Sequence, residues 1–274
     1  MSVNSADLAL WRGHVGRSTS VQQLADAESL RRFALASGLD PDVERHPPAL
    51  AHWAWFLDAV PDEGLGPDGH PKRGGLLPAI TLPRRMFASS AITFEAPITL
   101  GESVELTATV ADVRHRTGSA GDLMFVDVER VVRQSGGVCV REAQTLVYRE
   151  AGAPTPLPVE SLDADDGAAW RPGPVNLFRF SAVTFNSHRI HYDQAYATQI
   201  EGYPALVVHG PFAAVKLAAF AETLGGPLAQ FDFRAVAPLF VNQPVRFAAG
   251  EAPGEVRAVR CDGTAATLAK VRYR

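Results

Sequence analysis

The stretch Thr184-Phe185-Asn186-Ser187-His188-Arg189-Ile190-His191-Tyr192-Asp193 carries two imidazoles, an amide, a guanidinium, a phenol and a carboxylate within ten residues. Asn, Ser and clustered polar groups favour turns, so we predict a loop here. Residues 178–185 before it resemble an apolar strand, and the aliphatic run 203–224 after it is capable of forming a helix. A polar loop between two apolar elements is a common location for chemistry, although the same pattern also describes a plain surface loop.

Length and composition set broad bounds on the protein. The 274 residues permit two ordinary domains or one large one, and 46% hydrophobic with 20% charged residues is typical of a globular chain. The net charge is −4 and no basic run exceeds a pair, so we expect no nucleic-acid or membrane partner. Cys139 and Cys261 lack metal-site spacing, and neither a secretion signal nor a membrane span is visible. These features predict a soluble cytoplasmic protein.

The first half of the chain changes from helical to strand-like character. Residues 24–37 have the pattern of an amphipathic helix that Gly38 stops. Residues 64–78 form a long loop rich in Gly and Pro, which is either functional or mobile. Residues 82–149 predict a curved antiparallel sheet, with a hairpin turn at 134–137.

The second half follows a change in composition. Residues 151–174 contain five prolines and the acidic cluster Asp163, Asp165 and Asp166, and we interpret them as a linker. The helix after the polar loop ends at Gly225-Gly226-Pro227, where we predict an αL cap. Four strands are predicted after it, at residues 230–237, 243–248, 255–261 and 264–273. A helix followed by a run of strands indicates an α+β fold.

The polar loop resembles the signature of the MaoC-like, (R)-specific enoyl-CoA hydratases. That signature reads Asp-x-Asn-Pro-(aliphatic)-His-x-Asp, and its first Asp and its His form the catalytic dyad. His191 stands at the family's His and Asp193 at its last Asp, while His188 stands at the Asn. Asn186 occupies the position of the catalytic Asp, so the chain departs from the family at one of its two reactive groups.

Other words of the sequence resemble one branch of this family. They are Asp-Gly-His-Pro at 68–71, Leu-Pro-Arg-Arg-Met at 82–86, Leu-Gly-Glu at 100–102, Glu-Gly-Tyr-Pro at 201–204 and Val-Val-His-Gly-Pro at 207–211. The branch comprises the mesaconyl-C4-CoA (3-methylfumaryl-CoA) and itaconyl-CoA hydratases and the mitochondrial 3-hydroxyacyl-thioester dehydratases.

The resemblance implies a double hotdog, which is two antiparallel sheets each wrapped round a helix. The expected parts are a degenerate N-terminal hotdog, a FAS1-like dehydratase domain with a reduced central helix, at 1–150, the linker at 151–174, and a catalytic MaoC-like hotdog at 175–274. It also implies an acyl-CoA substrate, no metal or redox cofactor, and a homodimer of double hotdogs.

Hydration of an enoyl thioester needs groups that move protons near neutral pH, and imidazole suits this role. His191 is the first candidate. Asn186 has no usable basicity, so it either positions water or substrate, or stabilises the turn. His188 either replaces the missing base or braces the loop.

The helix after the loop offers a donor for the thioester oxygen. Pro211 favours the first helical turn and has no N–H, which leaves Gly210 as the nearest free donor. Backbone N–H groups of this kind stabilise oxyanions, and the resemblance assigns the thioester carbonyl to Gly210. The same residues also fit an ordinary Gly-Pro helix start.

Arg84 and Arg85 are candidates for recognising the acyl group. A guanidinium can grip the free carboxylate of a mesaconyl-C4- or itaconyl-CoA, although a contact with the CoA phosphates or a solvated basic pair would leave the same pattern. Arg189, Tyr192 and His209 complete the expected substrate contacts, and Arg189 with Asp193 also fits a loop-bracing pair. His70 ranks below these residues.

The sequence thus predicts a hydro-lyase that adds water to a short branched dicarboxylic enoyl-CoA to give citramalyl-CoA. Three alternatives stay open. They are a 3-hydroxyacyl-thioester dehydratase of fatty-acid metabolism, a hotdog thioesterase, and a hotdog that binds acyl thioesters without catalysis.

Overall fold

A computed structural model describes residues 3–118, 121–152, 154, 156–161 and 170–274. Within these residues one antiparallel sheet contains nine strands: β1 (Ser18–Leu24), β2 (Arg84–Phe94), β3 (Ser103–Gly118), β4 (Gly121–Gln134), β5 (Gly137–Arg149), β6 (Leu228–Ala235), β7 (Arg246–Ala249), β8 (Glu255–Val259) and β9 (Ala265–Tyr273). The α-helices are α1 (Ser5–Arg12), α2 (Ala27–Ser37), α3 (Pro174–Val183) and α4 (Gly210–Gly225).

The strand order repeats between the two halves of the chain. The strand order in the sheet is β1-β3-β4-β5-β2-β6-β9-β8-β7. In the first half β2 is followed across the sheet by β5, β4 and β3. In the second half β6 is followed in the same way by β9, β8 and β7. The two halves meet where β2 pairs antiparallel with β6, from Ser89 opposite Arg234 to Thr93 opposite Gln230. This duplicated arrangement is the predicted α+β double hotdog.

The two halves differ in their central helix. The long helix α4 of the second half buries Phe212, Leu217 and Ala218 against the sheet. In the first half the corresponding region, residues 39–83, contains only two short 3₁₀ turns, Ala51–Ala54 and Asp62–Gly64. The first hotdog therefore has the reduced central helix that the resemblance implies.

A shared core joins the two halves. Phe33 on α2 packs against Phe180 on α3, with their ring centroids 6.0 Å apart, and both side chains are almost completely buried. Burying a phenylalanine contributes about 1.5–3 kcal/mol of hydrophobic stabilisation. A second cluster, which includes Trp11, Met124 and Tyr148, joins α1 to the strands β3, β4 and β5.

The predicted strand at residues 178–185 is wrong, because this segment belongs mostly to α3. Pro174 occupies the first turn, and Asn176 Oδ1 accepts the N–H of Gly173 at 2.8 Å, which starts a helix. Leu177, Phe180 and Ser181 are buried at helical spacing, while Phe178 is 65% exposed. The aromatic and β-branched residues favoured a strand locally, but the helix buries a continuous apolar stripe.

Two helix starts also differ from the prediction. Residues 24–37 divide into the end of β1 and α2, which begins at Ala27 after the cap Asp26 and ends at Gly38 as predicted. The helix of the second half begins at Gly210, one residue before the predicted Pro211. Residues 203–209 are not helical, because the N–H of Val208 donates to the carbonyl of Leu239.

The end of α4 has a different geometry from the predicted αL cap. Gly226 has φ 86° and ψ −160°, a conformation open to glycine but outside the αL region. The helix nevertheless stops at Gly225, as the sequence indicates.

The segment that follows β5 lies along the second half of the chain. The N–H of Ser161 donates to Cys261 at 2.8 Å, and Gln243 Nε2 donates to the carbonyl of Pro158 at 2.7 Å. Asp163, Asp165 and Asp166 lie outside the described residues, and the divisions at 150 and 174 stay predictions. In the part of the chain that the structure describes, no helix is long and apolar enough to cross a membrane.

Candidate active site

The polar loop is a sharp turn that Asn186 stabilises. After α3, Phe185 adopts φ 49°, and the N–H of Asn186 donates to Ser181 at 2.8 Å. Asn186 Oδ1 accepts the N–H of His188 at 3.0 Å, an Asx turn. The carbonyl that was expected to hold water is thus used within the loop, and the geometry supports the turn-stabilising alternative for Asn186.

His191 presents one nitrogen as a base. Its Nδ1 lies 2.7 Å from the carbonyl oxygen of Val207, and a carbonyl only accepts, so Nδ1 carries the proton and Nε2 keeps its lone pair. Burial, followed by the charges of His209 and His188, lowers the pKa of His191 well below its usual range. His191 is therefore a neutral imidazole at physiological pH.

His209 fixes the position of His191 beside the start of α4. The two rings stack with centroids 3.6 Å apart and planes at 21°, and His209 Nε2 is 2.8 Å from Ser181 Oγ. Burial lowers the pKa of His209 to about 3. None of the surface of His209 is exposed, and its ring packs on His191, while its role as a substrate contact stays a prediction.

Gly210 places a free N–H next to this histidine pair. It is the first residue of α4, where an N–H has no partner within the helix. The nearest atom beyond its chain neighbours to a Cβ on Gly210 would be the carbonyl oxygen of Phe87, at 4.0 Å. A thioester oxygen therefore has room to approach this N–H.

A loop from the first half docks on the polar loop. The N–H of Arg189 donates to the carbonyl of Asp68 at 2.9 Å, and Ser187 Oγ donates to the carbonyl of Gly69 at 2.5 Å. A Cβ on Gly69 would lie 1.9 Å from the carbonyl oxygen of Ser187, so only glycine fits this contact. The sequence analysis missed the contact, and the polar word Asp-Gly-His-Pro within a Gly-rich loop was its signal.

Docking brings His70 into the cluster of imidazoles. The rings of His70 and His188 have centroids 3.9 Å apart, and His188 meets His191 edge-on at 5.4 Å. Asp68 accepts twice from His70, with Oδ2 3.1 Å from the ring Nδ1 and Oδ1 3.0 Å from the backbone N–H. Burial lowers the pKa of His70 to about 4, although the bond to Asp68 opposes this effect.

The same three residues are the candidate metal ligands among the described residues. One ligand atom each from Asp68, His70 and His188 lies within 4.8 Å of the others, and two imidazoles with a carboxylate suit a transition metal such as Zn²⁺. However, both oxygens of Asp68 already accept from His70, and the nearby charge of Arg85 opposes a second cation. We therefore interpret the cluster as a hydrogen-bonded acid–base group.

The two arginines of the first half have different surroundings. Arg84 is 8% exposed, its Nε is 3.1 Å from Glu201 Oε2, and a second N–H donates to the backbone carbonyl of Glu201. Its guanidinium also lies 5.4 Å from the ring centre of Tyr203. Arg84 therefore braces the segment after the polar loop, and its charge is already paired.

Arg85 lies closer to the imidazole cluster. Its positive charge acts on His70 and on the buried Tyr148, where it opposes the rise in pKa that burial causes. Among the described residues no carboxylate lies within ion-pair distance of Arg85. Arg85 thus has the spare charge that recognition of a substrate carboxylate requires.

Of the remaining predicted substrate contacts, Arg189 is bonded within the polar loop and Tyr192 is exposed to solvent. Arg189 Nη2 is 2.8 Å from Asp193 Oδ2, its Nη1 donates to the carbonyl of Pro67, and its guanidinium lies 4.2 Å from the ring centre of Tyr196. This matches the loop-bracing interpretation of Arg189. Tyr192 is 49% exposed at the surface of the loop.

Trp53 of the 3₁₀ turn Ala51–Ala54, Phe87 of β2 and Phe233 of β6 form an aromatic wall. Phe87 and Phe233 stack at 5.7 Å, and Trp53 meets both rings edge-on at 6.2 and 6.1 Å. Trp53 Nε1 donates to Glu142 at 3.2 Å. His52, Ser90 and Gln144 bond the same carboxylate.

Burial would raise the pKa of Glu142, but the hydrogen bond and charge of His52 with the charge of Arg130 lower it to about 2. Trp53 is therefore held on the reduced helix by an ionised, multiply bonded side chain.

Comparisons with known proteins agree on one group. A family model described as hydroxyacyl-thioester dehydratase type 2 matches residues 50–241. The mesaconyl-C(4)-CoA hydratase of Chloroflexus aurantiacus is 41% identical over 257 residues, which are 90% of this chain and 90% of that protein.

Two solved structures share the fold. The crystal structure of HtdX from Mycobacterium tuberculosis superposes with a TM-score of 0.67 at 19% identity and covers 93% of this chain and 100% of its own. Another Mycobacterium tuberculosis protein, described as a double hotdog, superposes with a TM-score of 0.54 at 13% identity and covers 94% of this chain and 95% of its own.

Proposed function

Because the chain belongs to the hydroxyacyl-thioester dehydratase type 2 family, we propose that it is a hydro-lyase acting on enoyl-CoA. The reaction adds water reversibly to the double bond of a short branched dicarboxylic enoyl-CoA, mesaconyl-C4-CoA or itaconyl-CoA, and gives citramalyl-CoA. The observation that carries the proposal is the lone pair of His191 Nε2, held beside the Gly210 N–H by the stacked ring of His209.

The arrangement supplies two of the needs of the reaction. The Gly210 N–H donates to the thioester oxygen and stabilises the negative charge that develops there as the enolate forms. His191 Nε2 accepts a hydrogen bond from the attacking water and orients it toward Cβ. Hydration transfers no electrons to an external acceptor, so we propose that the reaction needs no redox cofactor.

Arg85 supports a dicarboxylic acyl group. Its charge is unpaired among the described residues and lies near His70, whereas Arg84 is bound to Glu201. We propose that Arg85 binds the free carboxylate of the substrate, since a guanidinium matches a carboxylate with two parallel hydrogen bonds. The 41% identity to a mesaconyl-C(4)-CoA hydratase supports the same substrate class.

A second candidate function is dehydration of a 3-hydroxyacyl thioester of fatty-acid metabolism. The family description favours it, and the same groups would catalyse the reverse reaction. The backbone carbonyl of Phe87 lies 4.0 Å from a Cβ position on Gly210, and we propose that the aromatic wall of Trp53, Phe87 and Phe233 limits the site to a short acyl chain.

The test is an activity screen with crotonyl-, mesaconyl-C4-, itaconyl- and long-chain enoyl-CoA. The loss of the absorbance of the enoyl group measures the rate for each substrate. We expect the highest kcat/KM with one of the two dicarboxylic esters. A preference for long-chain substrates would favour the fatty-acid dehydratase, and no turnover of any thioester would favour a binding protein.

We further propose a cytoplasmic homodimer. The free, buried thiols of Cys139 and Cys261 suit a reducing compartment. β1 is an edge strand of the sheet, and its unpaired backbone edge offers a place where a second copy would pair. Light scattering of the purified protein measures the mass and tests the dimer.

A further inference from the structure

Hydration requires one more group than the polar loop supplies. One proton must leave the attacking water and one must reach Cα, while the resembled signature provides a carboxylate beside its histidine for this purpose. Here Asn186 replaces the carboxylate, cannot act as a base, and uses its Oδ1 to accept from the N–H of His188. The partner of His191 must therefore come from elsewhere.

Two further imidazoles belong to the cluster around His191, since His188 meets His191 edge-on and His70 contacts His188, and their environments differ. His188 has Glu201 as its nearest carboxylate, at 4.0 Å, and its interaction is the first cause that lowers the pKa of Glu201. Glu201 is however shared with Arg84, 3.1 Å away, and with the hydroxyl of Tyr196. His70 has Asp68 at 3.1 Å, bonded to its ring Nδ1. A carboxylate that holds an imidazole in one tautomer and stabilises its protonated form is the arrangement of an acid–base dyad.

The proton positions follow from the partners. Burial would raise the pKa of Asp68, yet the bonds and charge of His70 lower it well below its usual range, so Asp68 is ionised and only accepts. His70 Nδ1 therefore carries the ring proton, and Nε2 is the free nitrogen. His70 and His191 are then two neutral imidazoles, each with an available Nε2, and both contact the ring of His188.

We propose that His70, held by Asp68, is the second acid–base group of the site and moves the proton that Asn186 cannot move. This inference rests on the proposed hydration. The water oxygen bonds to Cβ, one of its protons passes to His70 Nε2, and its other O–H stays hydrogen-bonded to His191 Nε2. The electron pair of the double bond moves through Cα onto the thioester oxygen, which the Gly210 N–H holds. The His70 imidazolium then returns its proton to Cα, and both imidazoles are neutral again.

The location of the transient charge favours His70 over His191. An imidazolium at His70 is hydrogen-bonded to the Asp68 carboxylate, which opposes the effect of the nearby Arg85 charge. One at His191 would be buried beside His209 and His188, with only the carbonyl of Val207 as a partner. A buried charge without a counter-ion is strongly disfavoured. The first half of the chain thus supplies a reacting group to the site of the second half.

The test compares His70→Gln, His70→Ala and Asp68→Asn with a control, His46→Gln. The control removes an exposed histidine outside the candidate site and leaves the contact of the two loops in place. We expect His70→Gln to lower kcat by roughly 10²–10⁴-fold with KM changed less than about threefold. Asp68→Asn should lower kcat by at least about tenfold, His46→Gln should lose less than about threefold, and added imidazole should restore part of the kcat of His70→Ala.

The possible outcomes separate the inference from its premise. Turnover of no enoyl-CoA by the parent protein would overturn the proposed function itself. With an active parent, a His70→Gln variant within threefold of it, or a His70→Ala variant that imidazole does not rescue, overturns the role of His70. Rescue of His188→Ala in place of His70→Ala would assign the proton to His188. Loss of parent activity with a chelator, restored by Zn²⁺, would make Asp68, His70 and His188 a metal site and overturn the dyad.

Discussion

At the scale of single residues, the proposed reaction requires His191 to be neutral and correctly oriented. Burial lowers its pKa, and the carbonyl of Val207 fixes its tautomer. We expect His191→Ala to lower kcat by roughly 10²–10⁴-fold, since the lone pair that orients the water is lost. Steady-state kinetics measures the effect, with the exposed His46→Ala as a control for histidine loss alone. A variant within threefold of the parent would exclude His191 from the reaction.

Arg84 and Arg85 are adjacent in sequence but should respond differently to removal of their charge. We expect Arg85→Met to lower kcat/KM at least about tenfold for mesaconyl-C4-CoA and less than about threefold for crotonyl-CoA, which lacks the free carboxylate. Arg84→Met should affect both substrates equally and lower the melting temperature, because it leaves the carboxylate of Glu201 unpaired. An unchanged ratio of the two kcat/KM values in Arg85→Met would disprove carboxylate binding by Arg85.

The sequence identified some site residues and missed others for a physical reason. His191, His188 and Gly210 are close along the chain to the polar loop or to a helix start, so local pattern predicts them. Asp68 and His70 reach the site through a tertiary contact in which Ser187 bonds Gly69, 118 residues earlier. Such a contact depends on how the two halves pack, which the pattern of one segment does not encode.

At the scale of elements, the loop that contains Asp68 and His70 is held by one glycine. Gly69 has φ +87°, and a Cβ there would collide with the backbone of Ser187. We expect Gly69→Ala to destabilise the fold by about 1–3 kcal/mol and to lower kcat at least about tenfold as the loop undocks. Gly75→Ala in the same loop is the matched control, since a Cβ there meets nothing within 4 Å. Equal behaviour of the two variants in urea unfolding and kinetics would contradict this role.

The short 3₁₀ turn Ala51–Ala54 should limit the length of the acyl chain, because it carries Trp53 to the aromatic wall. We expect Trp53→Ala to raise kcat/KM for an eight-carbon enoyl-CoA relative to crotonyl-CoA at least about tenfold, as the removed ring opens space. Trp53→Phe keeps an aromatic side chain and should change this ratio much less. No change in chain-length preference for Trp53→Ala would place the wall outside the acyl pocket.

Element prediction worked where local and tertiary preferences agree. The strands β4 and β5 and their turn at Ser135 and Gly136 were predicted closely, because the turn residues and the alternating strands favour the same hairpin. For α3 they disagree: the aromatic residues favour a strand, while Pro174 and the burial of Phe180 against Phe33 favour a helix. Packing between the halves decides this case, and a single sequence does not show it.

At the scale of the whole molecule, the buried histidines make stability depend on pH. Burial lowers the pKa of His70 to about 4, of His209 to about 3, and of His191 well below its usual range. Below about pH 6.5 the unfolded chain binds protons that the folded chain excludes, so the free energy of unfolding falls as pH falls. Each histidine lowers the free energy of unfolding by at most about 1.4 kcal/mol for each pH unit below about 6.5. Above about pH 6.5 none of them changes the free energy of unfolding with pH.

Urea unfolding at several pH values between 7.5 and 5 measures this dependence. We expect His70→Gln to reduce the slope of unfolding free energy against pH, and the exposed His46→Gln to leave it unchanged. A slope of zero over this interval would show that these histidines titrate alike in the folded and unfolded chains.

The pairing of β2 with β6 places two copies of one architecture in a single polypeptide. In an assembly of identical subunits, any substitution appears in every copy, so a helix shortened to admit a substrate would be shortened everywhere. A covalently joined pair is free of that constraint, and its two copies can diverge. Here the second half has α4, which begins at Gly210, while the first half has in the corresponding region a 3₁₀ turn with Trp53 and a loop that carries His70. Two halves joined in one chain can therefore carry different functional groups, whereas two identical subunits cannot.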